Sequence, residues 1–232
     1  MKPSGTRLVI TAGVVAGLLL VVLATGGIGA GAPANSKPEA PSCHGQPATW
    51  IGTPGPDRVP RTRGGVMVAL GGADRFTQVG GTSIDVTVCL GAGSDGVHIS
   101  EGGTRGSLFD LGAGADHFGT SWSNDLFGKV AVLGGPGDDR IEGGYGSDDL
   151  RAGPGVDAVF GGAKGDAIRL GAGNDHASGE GGSDRLDGGA GDDKIFGAQS
   201  DNGDVALQGD RADGGDGADE CYAAVERRCE AG

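Results

Sequence analysis

From Gly134 to Phe196 the chain can be cut every nine residues without a gap, into GGPGDDRIE, GGYGSDDLR, AGPGVDAVF, GGAKGDAIR, LGAGNDHAS, GEGGSDRLD and GGAGDDKIF. The sixth place is aspartate in every block (Asp139, Asp148, Asp157, Asp166, Asp175, Asp184, Asp193), and the eighth is apolar (Ile141, Leu150, Val159, Ile168, Ala177, Leu186, Ile195). Such a period describes a stack of like units, each too small to bury its apolar side chain alone. Glycine in the first, second and fourth places reads as a tight turn that needs positive φ and close backbone approach. The three residues after the aspartate then form a short strand with its central side chain inward. With two blocks to a coil, residues stacked on one another are 18 apart, and the aspartates sort into two ladders. One holds Asp139, Asp157, Asp175 and Asp193, the other Asp148, Asp166 and Asp184.

Composition makes the same case from another side. Of 232 residues 52 are glycine and 31 acidic, with aromatics at 4%, which excludes a helical protein and an ordinary core of large side chains. One inward aliphatic side chain per block returns less than the entropy lost in ordering nine residues. Stacked carboxylates also repel one another unless a cation lies between them. The net charge of -13 argues against nucleic acid as a partner and for cations. Between rungs the chain offers carboxylates and glycine carbonyls, the all-oxygen donor set that calcium takes with about six to eight ligands, while magnesium demands a stricter octahedron. A flexible acidic linker would explain the composition but not the phase.

The pattern G-G-x-G-x-D-x-U-x resembles the calcium-binding nonapeptide repeats of the repeats-in-toxin (RTX, hemolysin-type) proteins. That resemblance implies an all-β fold, a right-handed parallel β-roll or β-solenoid, with Ca2+ held in its turns. The expected ligands are the carboxylates of Asp139, Asp148, Asp157, Asp166, Asp175, Asp184, Asp193 and Asp219. Turn carbonyls are expected around Gly135, Gly137, Gly144, Gly146, Gly153, Gly155, Gly171, Gly173, Gly189 and Gly191. Calcium binding and folding are expected to be one event, with about five sites sandwiched between rungs from 134 to 196. The toxins themselves carry pore-forming regions and a C-terminal export signal. No amphipathic segment here fits membrane insertion, and only the calcium module carries over.

Flanking segments are degenerate versions of the same unit. ALGGADRF at Ala69, LGAGSDGV at Leu90 and LGAGADHF at Leu111 repeat the turn with Asp74, Asp95 and Asp116, at spacings of 21, 21 and 23. TSIDVTVCL, GSLFDL and GKVAVL run into these turns, so residues 43–133 read as wider coils, each with one metal-type turn and a longer return strand. GTPGPDRVP at Gly52 fits the repeat with Asp57. Beyond Phe196 the phase slips across GAQSDNGD and resumes with Asp210 and Asp219 in the sixth place. Residues 197–232 read as degenerate repeats and a cap, with CYAAVERRC forming a helical turn closed by a disulfide.

At the other end, Lys2, Arg7 and the apolar run Leu8 to Leu23 have the layout of a secretory signal peptide, expected to be cleaved near Ala32. Residues 33–42 read as a Pro/Ala/Ser linker. Four cysteines in an exported chain favour two disulfides; of three pairings, Cys43 with Cys89 and Cys221 with Cys229 are expected. No catalytic signature is found: neither H-E-x-x-H nor G-x-S-x-G occurs, and GAGSDG at Gly91 is one more repeat turn with no helix after it. His44, His98, His117 and His176 are scattered and read as solvated turn residues. The sequence thus points to a secreted, non-enzymatic calcium-binding repeat protein in a structural or surface role. The alternatives are an adhesion module with a cell-surface or glycan partner on a solenoid face, and an accessory domain of an exported hydrolase.

Overall fold

The computed structural model describes residues 41–60, 64–78, 84–100, 104, 106–120, 128–197, 209–223 and 225–229. The expected leader lies outside them, as does the expected linker up to residue 40; Ser42, at the linker's end, already belongs to a small hairpin in which Ser42–Cys43 pairs antiparallel with Gln46–Pro47.

The other described strands form a parallel β-solenoid. Successive strands alternate between two sheets, so each sheet collects every second strand in sequence order. The ten-stranded first sheet runs from Trp50–Ile51 through Gly64–Val68, Asp85–Cys89, Ser107–Asp110, Val130–Leu133, Asp149–Pro154, Ala167–Ala172, Arg185–Ala190 and Arg211–Asp216 to Val225–Arg227. The nine-stranded second sheet runs from Arg58–Val59 through Arg75–Gln78, Gly96–Ile99, His117–Thr120, Arg140–Gly144, Ala158–Ala163, His176–Gly181 and Lys194–Phe196 to Glu220–Tyr222. Turns from first to second sheet form one edge of the solenoid, and turns back form the other.

The register follows the period. Arg140 pairs with Ala158, Ala158 with His176, and His176 with Lys194, each 18 residues on. In the wide coils Arg75 pairs with Gly96 and Gly96 with His117, 21 residues on. One later coil takes 26 residues, from Arg185 to Arg211 and from Lys194 to Glu220. That surplus falls across 198–208, which lies outside the described residues, and pairing resumes without a shift. Strands of the narrow coils are longer than the three residues expected, six in Ala158–Ala163 and Ala167–Ala172, because ladder pairing continues through the glycine pair into the next turn.

Eighth-place side chains line the interior: Ile141, Leu150, Val159, Ile168, Ala177, Leu186 and Ile195 are all buried, and Ala212 and Cys221 continue the row. Packing is denser in the wide coils. One coil buries Ile84, Val86, Val88, Leu90, Val97 and Ile99, and Phe109 sits 5.6 Å from Phe76 and 5.1 Å from Phe118 between ring centroids. A narrow coil such as 158–172 buries only Val159, Ile168 and Leu170 among its hydrophobic side chains.

Both disulfides pair as expected, Cys43 with Cys89 and Cys221 with Cys229. The cap is different. CYAAVERRC forms no helical turn among its described residues; Glu220–Tyr222 and Val225–Arg227 add one strand to each sheet. Extending two open parallel edges satisfies main-chain groups that a helical turn would leave unpaired. His176 is likewise no solvated turn residue. It is a half-buried strand residue between Phe160 and Phe196, at 5.9 and 5.4 Å, and burial pushes its pKa down.

Candidate metal centre

The sixth-place aspartates face inward at the two edges, and each divides its carboxylate between two coils. Its Oδ1 accepts a main-chain amide one coil earlier, that of an aspartate except at Asp148, which takes the Val130 amide at 2.8 Å. On the first edge this links Asp139 to Asp157, Asp157 to Asp175 and Asp175 to Asp193 at 2.8, 2.8 and 2.9 Å. On the second edge it links Asp148 to Asp166 and Asp166 to Asp184, both at 2.8 Å. The two ladders are those the 18-residue spacing requires.

They extend further than the expected ligand set. The first edge continues back from Asp139 through Asp116, Asp95 and Asp74 to Asp57, at 2.9, 2.7, 2.6 and 2.7 Å. Forward it reaches Asp219 at 3.0 Å, and the second edge reaches Asp210 at 2.9 Å. Asp74, Asp95, Asp116 and Asp210 lie outside the expected ligand set, although the first three carry the same Gly-x-Asp turn and Asp210 stands in the sixth place of its block. The stretches 79–83, 101–103 and 121–127, which in sequence follow the second-sheet strands of the wide coils, lie outside the described residues.

The other oxygen, Oδ2, is buried and has no hydrogen-bond partner in Asp74, Asp95, Asp116, Asp139, Asp148, Asp157, Asp166, Asp175, Asp184, Asp193, Asp210 and Asp219. It looks toward the coil that follows. A Cβ placed on Gly161 would meet Asp166 Oδ2 at 2.6 Å and the Gly179 carbonyl oxygen at 2.8 Å, and the same pairing recurs at Gly134, Gly143, Gly179 and Gly188. The orphaned oxygens of Asp139, Asp148, Asp166, Asp184 and Asp193 thus each share a pocket with a main-chain carbonyl of the next coil. The orphaned carboxylate oxygen meets an acceptor there and no donor of its own. The carbonyl can be a ladder acceptor, as that of Ala152 is for the Gly135 amide at 2.7 Å, and its second lone pair with Oδ2 makes the hard, all-oxygen donor set that suits calcium.

Burial is the largest cause of the electrostatic consequence. It pushes Asp166 up to about 8, Asp139 and Asp184 to about 7, and Asp95, Asp148, Asp157 and Asp193 to about 6. Asp74, Asp116 and Asp175 are raised as well. The amide bond at Oδ1 opposes the rise throughout. Carboxylates on neighbouring rungs add to it at Asp166 and Asp139, whereas Lys129 and Lys164 temper it at Asp148.

The glycines divide by role. Of those expected to surround the metal, Gly135, Gly137, Gly144, Gly153, Gly155, Gly171, Gly173, Gly189 and Gly191 have positive φ, while Gly146 does not. First-place residues need no positive φ, contrary to expectation. They face inward beside Oδ2, and Ala152 and Leu170 fill that place with buried side chains. Gly173 shows why second and fourth places differ. Its φ is +145°, its amide donates to the Ala190 carbonyl at 2.8 Å, and a Cβ there would overlap the Gly155 carbonyl oxygen of the coil below. Gly173→Ala is therefore expected to destabilise the calcium-loaded roll by about 1–3 kcal/mol. Gly181→Ala, whose nearest neighbour would be a carbonyl oxygen at 3.6 Å, should change it by less than about 0.5 kcal/mol, with thermal unfolding in saturating calcium as the measurement.

Two edges of inward carboxylates on a parallel solenoid define a protein built to hold cations between its coils. The comparisons agree: residues 133–168 and 169–203 match the RTX calcium-binding nonapeptide repeat (4 copies), so the chain carries RTX repeats on a β-solenoid. No curated protein and no solved structure matches the chain.

Proposed function

We propose that the protein is a secreted, non-enzymatic calcium-binding repeat protein whose roll folds as it takes up calcium outside the cell, in a structural or surface role. The observation that carries this reading is the set of buried, partnerless Oδ2 atoms, with those of Asp139, Asp148, Asp166, Asp184 and Asp193 beside a carbonyl of the next coil. Leaving so many ionised groups buried without a counter-charge costs several kcal/mol apiece, so the fold at neutral pH calls for a ligand at these points. Export is supported by the leader-like N-terminus and by the engagement of all four cysteines in disulfides, which persist in oxidising compartments.

When bound, calcium supplies the positive charge that the two ladders lack. The chain's own residues do the rest: aspartate Oδ1 fixes each carboxylate to the previous coil, Oδ2 and the next coil's carbonyl bracket the cation, and the positive-φ glycines let the turns stack closely. Extracellular calcium modules bind at about 0.1–1 mM. Equilibrium dialysis over that range is expected to show at least the five ions that the gaps from Asp139 to Asp193 and from Asp148 to Asp184 offer, with magnesium a poor substitute. A chain that takes up a single ion or none at millimolar calcium would refute the reading.

A further inference from the structure

The first and last carboxylates of the first-edge ladder meet different partners. At the N-terminal end Asp57 Oδ2 accepts the Thr53 amide at 2.6 Å and the Thr53 hydroxyl at 3.1 Å, so donors satisfy that carboxylate. At the C-terminal end Asp219 is fully buried; its Oδ1 accepts the Asp193 amide at 3.0 Å, and its Oδ2 has no partner.

What faces Asp219 Oδ2 is an acceptor. A Cβ placed on Gly214 would meet both Asp219 Oδ2 and the Arg228 carbonyl oxygen, just as one on Gly188 would meet Asp193 Oδ2 and the Gly214 carbonyl oxygen. Arg228 lies outside the repeat pattern, yet its carbonyl stands where the carbonyl of a next coil stands elsewhere on the ladder. Asp57 Oδ2 also lies beside a carbonyl, that of Ala69, since a Cβ on Gly52 would meet both, but there the Thr53 amide and hydroxyl supply protons. At Asp219 the Arg228 carbonyl has no proton to give.

Three features hold that carbonyl in place. Val225–Arg227 pairs in parallel with the strand Arg211–Asp216, and Arg228 Nε donates to Asp213 Oδ1 at 2.6 Å. The next residue, Cys229, is bonded to Cys221, which occupies the interior place of Ile195 one coil earlier. Arg228 itself has φ +48°, a left-handed conformation that a non-glycine residue keeps only when its surroundings impose it.

We propose that the strap closed by Cys221–Cys229 completes one more calcium site: the Asp219 carboxylate and the Arg228 main-chain carbonyl bind a divalent cation at the open end of the ladder, with water filling the remaining positions. This rests on the calcium reading of the roll and adds one ion to it. The disulfide then has a ligand-positioning role beyond tying down a terminus.

The test counts ions bound by the full chain in saturating calcium, with circular dichroism to confirm the fold. Asp219→Asn keeps an oxygen for the Asp193 amide but removes the charge, and Cys221→Ser/Cys229→Ser releases the strap. Each is expected to bind one ion fewer than the parent, and the three substitutions combined also one fewer, since all act on the same site. An unchanged count in either variant overturns the proposal, even if the strapless protein melts earlier. Should the strapless variant lose its β-signal in calcium, the count in Asp219→Asn decides alone. A parent chain that binds no calcium would instead defeat the reading of the roll itself, an outcome the count separates from failure of the terminal site.

Discussion

Chelating calcium is expected to remove most of the β-sheet signal of residues 134–219 and to leave the wide coils as the more protease-resistant part. In far-ultraviolet circular dichroism this appears as a shift toward an unordered spectrum, reversed by calcium. In limited proteolysis, cleavage should begin in the narrow roll while a fragment containing the Cys43–Cys89 disulfide survives longer. The difference lies in how each half is held. A narrow coil buries two or three aliphatic side chains and carries aspartates on both edges, so without metal it has little apolar burial and two buried carboxylates. A wide coil such as 84–104 buries six aliphatic side chains and carries an aspartate, Asp95, on one edge only among the described residues. At ~1.5–3 kcal/mol per buried side chain the extra burial outweighs the cost of a single carboxylate, which can also stay protonated. A chain equally rich in β-structure with chelator present would remove calcium from the account of folding.

Much of this was legible in the sequence because a repeat states its geometry redundantly. Asp139 and Asp157 recur in the same place, and the 18-residue spacing alone puts one above the other; the Asp139 amide bonded to Asp157 Oδ1 is the physical form of that spacing. Val159 and Ile168 turn inward for the same reason. Where the period is broken, the sequence says less. The pairing of Lys194 with Glu220 across a 26-residue coil could not be read from block spacing, because an insertion of any length that returns to the same edge preserves register. The C-terminal segment was misread because Ala223, Glu226 and their neighbours favour helix locally, whereas two open parallel edges offered more hydrogen bonds to a strand. First-place glycine was misassigned for a subtler reason. Glycine in a turn suggests unusual φ, yet at Gly161 the missing side chain serves only to leave room beside Asp166 Oδ2. No single sequence separates a glycine chosen for torsion from one chosen for space.

Lowering the pH from about 5 to about 3 should raise the calcium concentration needed for half-folding, by roughly tenfold per unit for each proton displaced per ion. Between about pH 6 and 8 it should stay nearly constant. The window is that of the unfolded chain. Asp139, Asp166 and Asp184 are raised to about 7, 8 and 7, far above the ordinary carboxylate value of 3.8 that the unfolded chain shows. A group raised in the folded state adds stability that is complete below its unfolded value and is lost as pH climbs through the folded one. The metal-free roll is therefore least unstable in acid, and it loses this contribution as the pH climbs from about 4 to about 8. Calcium requires the ionised form, which the unfolded chain already shows above about pH 5, so protons oppose metal-driven folding only where the unfolded carboxylates themselves take up protons. Calcium titrations followed by circular dichroism from about pH 3 to 8 measure the slope, and proton release on calcium addition to a weakly buffered acid sample measures its cause. Asp166→Asn removes one titrating ligand and should flatten the acid limb. A half-folding concentration that fell steadily between about pH 6 and 8 would mean that the metal-free chain keeps its ladder carboxylates buried and protonated, contrary to folding that waits for calcium.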